Sequence, residues 1–401
     1  MASDLSIDFI AHIKALIHQI HPEIQGVREY LHQNPELSFQ EFETMAFVAQ
    51  QLSDWGISFQ SGVAETGIVA LLGEEKLANG CIALRADLDA LPINEQNDLP
   101  FKSKKEGIMH ACGHDVHTSV LLGASKILKS LEKDLPCAVK LIFQPGEEEH
   151  PGGASLMIKA GALENPKVDA IFGLHVFPEL RAGKIGYRKG MYMASSDEIK
   201  LEVIGKGGHG AIPHACVNPL YMGSEFILEC KKELNEWYPE EIPHVLTFGY
   251  FEAKGSTNVV PEKAFIKGTF RTMNEEFRFK AHQFFRKKAK EIGEKYGGQI
   301  LLNISVGYPF LSNDEQLTEN WKNILSEVNG ETNMVELPLR MTAEDFAFYG
   351  QKIPASFLRL GVGFEDSNLN FGVHHPKFNI DNSALDTGML MMTLAPFSWK
   401  N

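Results

Sequence analysis

Four short apolar runs, at residues 68–72, 81–86, 138–143 and 170–176, set the strongest limit on how this chain folds. Each reads as a strand, and helical stretches near 117–131 and 154–161 stand between some of them. Strands alternating with helices favour an α/β layer around a largely parallel sheet. In such sheets, ligands bind beyond the carboxyl ends of the strands. The chemically versatile residues fall there: Asp87 and Asp89 follow one run, Glu147 and Glu148 another, and His175 closes a third, AIFGLHV.

Before these runs, residues 4–57 read as two amphipathic helices broken at Asn34-Pro35. Beyond about residue 190 the texture changes. Residues 199–204 alternate like a strand with one exposed face, 219–236 look helical, 245–251 and 264–270 look like strands, and a charged helix spans roughly 275–296. Two strand–helix–strand blocks of this kind predict a small α+β domain. From about 305 the signals resemble the first block again. The expected layout is a discontinuous domain, 1–190 with 305–401, carrying an insert at 191–304. At 401 residues and 44% hydrophobic content, the chain is long and apolar enough for two cores.

Charge excludes some functions. With 38 basic against 52 acidic residues the net charge is -14, which argues against nucleic acid and anionic membranes as partners. Five scattered cysteines do not make a disulfide framework and predict free thiols in a reducing compartment. The opening MASDLSIDFI lacks a basic leader, and no later stretch is apolar for long enough to span a bilayer. The expectation is a soluble cytoplasmic protein.

Chemistry concentrates in MHACGHDVH, residues 109–117, where His110, Cys112, His114, Asp115 and His117 lie within nine positions. Thiolate, imidazole and carboxylate are transition-metal ligands. Cys112 and His114 cannot share a helix face, but a loop bent at Gly113 can aim both at one point. The plainer alternative is a buried thiol beside solvent-facing histidines. The second signal is QPGEEEHPGG, residues 144–153. Adjacent carboxylates can divide labour, one holding a metal and the other accepting a proton from water; a solvated charged loop is the ordinary alternative. His175 and His374, each unremarkable alone, complete donors for more than one metal.

Taken in order, RADLDALP, MHACGHDVH, the glutamate run, His175, GKGGHGAIPH, STNVVP, GTFRT, AEDF and HHPKF resemble the metal-dependent amidohydrolases that include aminoacylases, hippurate hydrolases, N-acetyldiaminopimelate deacetylases and auxin-conjugate hydrolases. The resemblance implies a zinc-exopeptidase-like catalytic domain with an inserted lid that also makes a homodimer, possibly a tetramer. It implies two divalent metals per subunit, zinc or manganese, held by Cys112, His114, Glu148, His175 and His374, with Cys112 bridging them. Glu147 would be the general base; a loop shifted by one residue would make Glu148 and Glu149 the pair. Asp87, Asp89 and Asp115 would orient ligands, with His110 and His117 in similar positions. His209, reaching in from a neighbouring subunit, would donate to the oxyanion, and Asn258 and Arg271 would bind substrate. A structural salt bridge is the other use of Arg271. The sequence departs from the family's habit in a longer loop after the glutamates, in His375 and in Asn382. The implied reaction is hydrolysis of the amide of an N-acyl amino acid; a dipeptide-cleaving relative or a non-enzymatic metal binder are the alternatives. Such a substrate is anionic, like the protein, but two divalent ions add about +4 at the site and can invert its local sign.

Overall fold

The computed structural model describes residues 5–399. Two units emerge: one built from the chain up to Gly190 with Ser312–Pro338 and everything from Asp345 onward, the other from Met191–Leu311 with Leu339–Glu344.

The first unit is centred on an eight-stranded sheet in the order Ser58–Val63, Gly67–Leu72, Ala138–Gln144, Cys81–Asp87, Ala170–Arg181, Ala355–Gly363, Ile185–Tyr187, Met334–Glu336. The four central strands run parallel to one another and antiparallel pairs flank them, so the sheet is mixed. Cys81–Asp87 and Ala138–Gln144 are buried at every residue. Strands covered on both faces read as continuous apolar runs, which is why these were visible in the sequence. The polar residues within them are all partnered; Lys140, for example, donates to the carbonyls of Ala162, Glu164 and Pro166. Helices Ile7–Gln33, His114–Ser130 and Ala384–Ser398 pack together over the sheet and share its core. The first begins at Ser6, whose hydroxyl accepts from Phe9 N, and stops just before Asn34-Pro35, where proline disfavours a helical predecessor.

The second unit is an antiparallel sheet in the order His244–Glu252, Lys263–Thr272, Asp197–Ile204, Gln299–Val306, with helices Pro219–Trp237 and Glu275–Tyr296 packed against it. Along Asp197–Ile204, Ile199, Leu201 and Val203 point into the core and alternate with more exposed residues, the period-two pattern of a half-covered sheet. Asn218 and Asn274 cap the two helices through their side-chain oxygens.

Two expectations need correction. The return to the first unit falls at Ser312, not near 305, and Leu339–Glu344 also belongs to the second unit. The cause is pairing: Gln299–Val306 zips onto Asp197–Ile204 as far as Val306 opposite Asp197, and Arg340 exchanges backbone bonds with Tyr192 and Ala194. His175 does not close its strand, which continues to Arg181, because pairing with Ala355–Gly363 resumes past a bulge. Among the described residues no helix is long and apolar enough to cross a membrane.

Candidate metal centre

Strand register gathers the donors. Asp87 lies opposite Gln144, so the glutamate run that follows Gln144 emerges at the same sheet end as Asp87. Arg85 lies opposite Gly173, so His175, two residues on, is level with Asp87. The Cys112–His114 loop arrives at that end as the entry to helix His114–Ser130. Gly113 sits at φ +83°, and a Cβ there would meet Val176 Cγ2 at 2.5 Å. Only glycine allows this bend so close to the His175 strand. The His374 loop is tied on by its backbone, with His374 N donating to Ala111 O at 2.7 Å. His374 adopts φ +64°, a strained geometry for a residue with a side chain.

The donors form two overlapping sets. Cys112, His114 and His175 each place a ligand atom within 4.8 Å of the others; so do Cys112, Glu148 and His374. Cys112 is common to both. Its Sγ lies 3.3 Å from His175 Nε2, and Glu148 Oε1 lies 3.1 Å from His374 Nε2. His114, Glu147 and Glu148 make a further close set. Glu147 is buried, Glu148 partly buried and Glu149 exposed, so the loop turns 147 and 148 inward and 149 outward.

Orientation of the rings suits metal binding. His114 Nδ1 is engaged by Asp89 Oδ1 at 3.1 Å, while Nε2 is buried with no hydrogen-bond partner and lies 3.7 Å from Asp87 Oδ2. A buried imidazole nitrogen that makes no hydrogen bond is open to a cation. His175 Nδ1 donates to Val176 O at 2.8 Å, leaving Nε2 toward Cys112. Asp87 Oδ1 binds His117 Nδ1 at 2.6 Å, and its Oδ2 binds Arg85 at 2.6 Å. His117 Nε2 accepts from Val176 N, so both its nitrogens are used. Asp115 binds Arg28 Nε and His32 Nδ1 at 3.0 and 2.8 Å, which anchors the loop to helix Ile7–Gln33. Arg28 also reaches Asn382, one of the positions that departs from the family's habit.

Electrostatics call for a cation. Burial, then the Glu148 and Glu147 charges, push the Cys112 thiol well above its usual range. Burial opposes charge on His114, but Asp87 and Asp89 outweigh it and raise it to about 10. Without metal, both groups hold protons at pH 7, so an ion that took Cys112 and His114 as ligands would release them. Apparent affinity should rise with pH, by up to about tenfold per unit for each proton released. Calorimetry in two buffers of different protonation enthalpy at pH 7 measures this; binding that releases no protons would contradict it.

His110 is buried in the first unit, while His209, Asn258 and Arg271 lie in the second. His209 is exposed on the two-residue strand Gly208–His209, paired with Val259–Val260. Its Nδ1 accepts from Ala211 N at 3.1 Å, which leaves the proton of the neutral ring on Nε2. Asn258 lies beside it, with Gly210 N donating to Asn258 O. Arg271 is half-buried and donates to Met341 O at 3.1 Å; among the described residues of its unit no carboxylate pairs with it. Burial lowers its pKa. His375 stacks on Phe371.

Three residues around the glutamate run escaped the sequence reading: Arg85, Asp345 and Glu41. Asp345 N donates to Glu147 Oε1 at 3.4 Å, while the Asp345 carboxylate takes Gln144, Ala154 N and Arg85. An arginine inside a wholly buried strand was the available signal for Arg85; AEDF was noted without a role for its aspartate.

Cys, His and Glu donors gathered at one end of the sheet, around an additional buried glutamate, fit a metal-dependent hydrolase. The chain belongs to peptidase family M20/M25/M40, whose model matches residues 83–395. It is 37% identical over 371 residues to IAA-amino acid hydrolase ILR1-like 4 of Arabidopsis thaliana, covering 90% of this chain and 82% of that one. It is 36% identical over 364 residues to N-acetyl-L-cysteine deacetylase of Bacillus subtilis, covering 90% and 85%. Among solved structures, the Bacillus subtilis YXEP protein, described as a dinuclear metal-binding peptidase of the M20 family, superposes with a TM-score of 0.78 at 32% identity, covering 95% and 98%.

Proposed function

We propose that the protein hydrolyses the amide bond of N-acyl amino acids, using two divalent metals per subunit, zinc or manganese. The observation that carries this reading is the pair of donor sets sharing Cys112, with Glu147 beside them. Cys112, His114 and His175 would hold one ion, and Cys112, Glu148 and His374 the other. Mixed sulfur, nitrogen and carboxylate donors suit zinc and tolerate manganese. The ions supply Lewis acidity, polarising the acyl carbonyl and bringing the pKa of water toward neutrality.

The rest of the chemistry belongs to side chains. Glu147 accepts the proton of the attacking water and returns it to the leaving amine, so the amine departs neutral. Asp345 N donates to Glu147 Oε1 at 3.4 Å, which helps to hold the side chain in place. His209 Nε2–H, supplied by the lid of a second copy in a homodimer, donates to the oxyanion. Arg271 offers paired donors to the substrate carboxylate, and Asn258 binds beside it. The relatives named for N-acetyl-L-cysteine and IAA-amino acid conjugates support an acyl amino acid.

A panel tests the substrate. Acetyl, benzoyl, succinyl and indole-acetyl amino acids are run against dipeptides with zinc, manganese, cobalt and nickel. The expected result is kcat/KM at least about tenfold higher on an acyl amino acid than on any dipeptide, a difference of about 1.4 kcal/mol. Faster dipeptide cleavage overturns the substrate assignment and leaves an exopeptidase; metal binding without turnover of either class leaves a binding protein.

A further inference from the structure

The loop bearing Glu147 and Glu148 is gripped through its backbone. Gly146 N donates to Glu41 Oε1 at 2.7 Å, and Glu148 N donates to Asp89 Oδ2 at 3.0 Å. Two carboxylates thus take alternate amides, with Glu147 between them. The segment bearing Glu41 touches both grips. Ser38 Oγ donates to Asp89 Oδ2 at 2.6 Å, and Phe39 lies so close over Gly146 that a Cβ there would meet its ring at 2.3 Å.

Glu41 is an unusual residue to find in such a place. It is fully buried, and among the described residues no lysine, arginine or histidine pairs with it. Its second oxygen accepts from Thr66 Oγ1 at 2.6 Å. Burial, and then the charge of Asp89, push its carboxyl up to about 7. Keeping a carboxyl without a counter-cation beside another carboxylate is unfavourable. An apolar residue would serve a purely packing role at lower cost, so the hydrogen bonds it makes are the reason to look for a use.

We propose that Glu41 is a positioning residue that, together with Asp89, clamps the amides of residues 146 and 148 and sets the register of the glutamate run. Glu147 is then presented for proton transfer and Glu148 toward Cys112 and His374, while Glu149 faces solvent. The catalytic consequence rests on the reading of Glu147 as the base; the clamp itself does not.

The test uses full-length, metal-loaded protein with Glu41→Ala and Glu41→Gln. In Glu41→Ala, kcat should fall about 10- to 100-fold, the usual cost of loosening the support of a site. With metal kept saturating, because Glu148 is itself a ligand, KM should stay within about threefold and deuterium uptake should quicken in the peptide spanning 144–149. Glu41→Gln keeps an acceptor for Gly146 N and should restore both kcat, to within about threefold, and protection of that peptide. Unchanged uptake at 144–149 in Glu41→Ala overturns the clamp. Activity lost together with faster uptake across the whole chain overturns it also, since Glu41 would then support only the fold. Should Glu41→Ala fail to fold, Glu41→Asp, one methylene short of the Gly146 amide, carries the same readouts. If Glu147→Gln proves fully active, the base assignment falls while uptake at 144–149 still decides the clamp.

Discussion

Glu147→Gln should lower kcat on an N-acetyl amino acid by about 10³-fold, with metal content and folding preserved, which corresponds to about 4 kcal/mol of lost transition-state stabilisation. Glutamine matches glutamate in shape and keeps an oxygen to accept from Asp345 N, so the loop need not move. What disappears is the ability to take a proton from water and pass it on. Glu147 lies outside both Cys112-containing donor sets, so two ions per chain should remain. The measurement is kcat and KM with metal counted on the same sample. Near-normal turnover at full metal content would sink the assignment. A loss of metal in proportion to activity would mean instead that Glu147 is a ligand.

Sequence and structure met most closely where one local rule controlled the outcome. The buried central strands were visible because two covered faces demand apolar residues throughout, and the Gly113 bend because one glycine between two donors leaves few geometries. Asp89 was singled out as a residue that orients a histidine, and it engages His114. Asp115 carried the same expectation but serves Arg28 with His32, while Asp87 binds His117 and Arg85 and lies 3.7 Å from His114 Nε2. Nothing local distinguishes these aspartates. Their partners come from other elements: His32 is 83 residues from Asp115 in the chain, and Asp345 is 198 from Glu147. Glu41 was hidden for the same reason, since its burial depends on Phe39, Thr66 and the 146 loop converging. The unit boundary was misplaced because Leu339–Glu344 joins the second unit through backbone pairing, which leaves no mark on composition.

The shared sulfur makes the second large prediction. If the two donor sets are two ion sites, Cys112→Ala should remove a ligand from both, while His175→Ala and His374→Ala should each weaken only one. Counting metal per chain after dialysis therefore separates the arrangements. Cys112→Ala is expected to retain less than about 0.5 ion and to lose at least about 10³-fold in kcat/KM, because neither remaining pair of donors holds an ion well against exchange. Each histidine variant should keep about one ion. The native thiol supports the same logic: burial and the two glutamates push its proton affinity up, so a thiolate persists there only when cations repay the cost of its charge. Should Cys112→Ala keep one ion firmly, the sulfur serves a single site and the bridge is wrong. Should it keep two, Cys112 is a buried thiol and the metal centre must be assembled from His114, Glu147, Glu148, His175 and His374 without it.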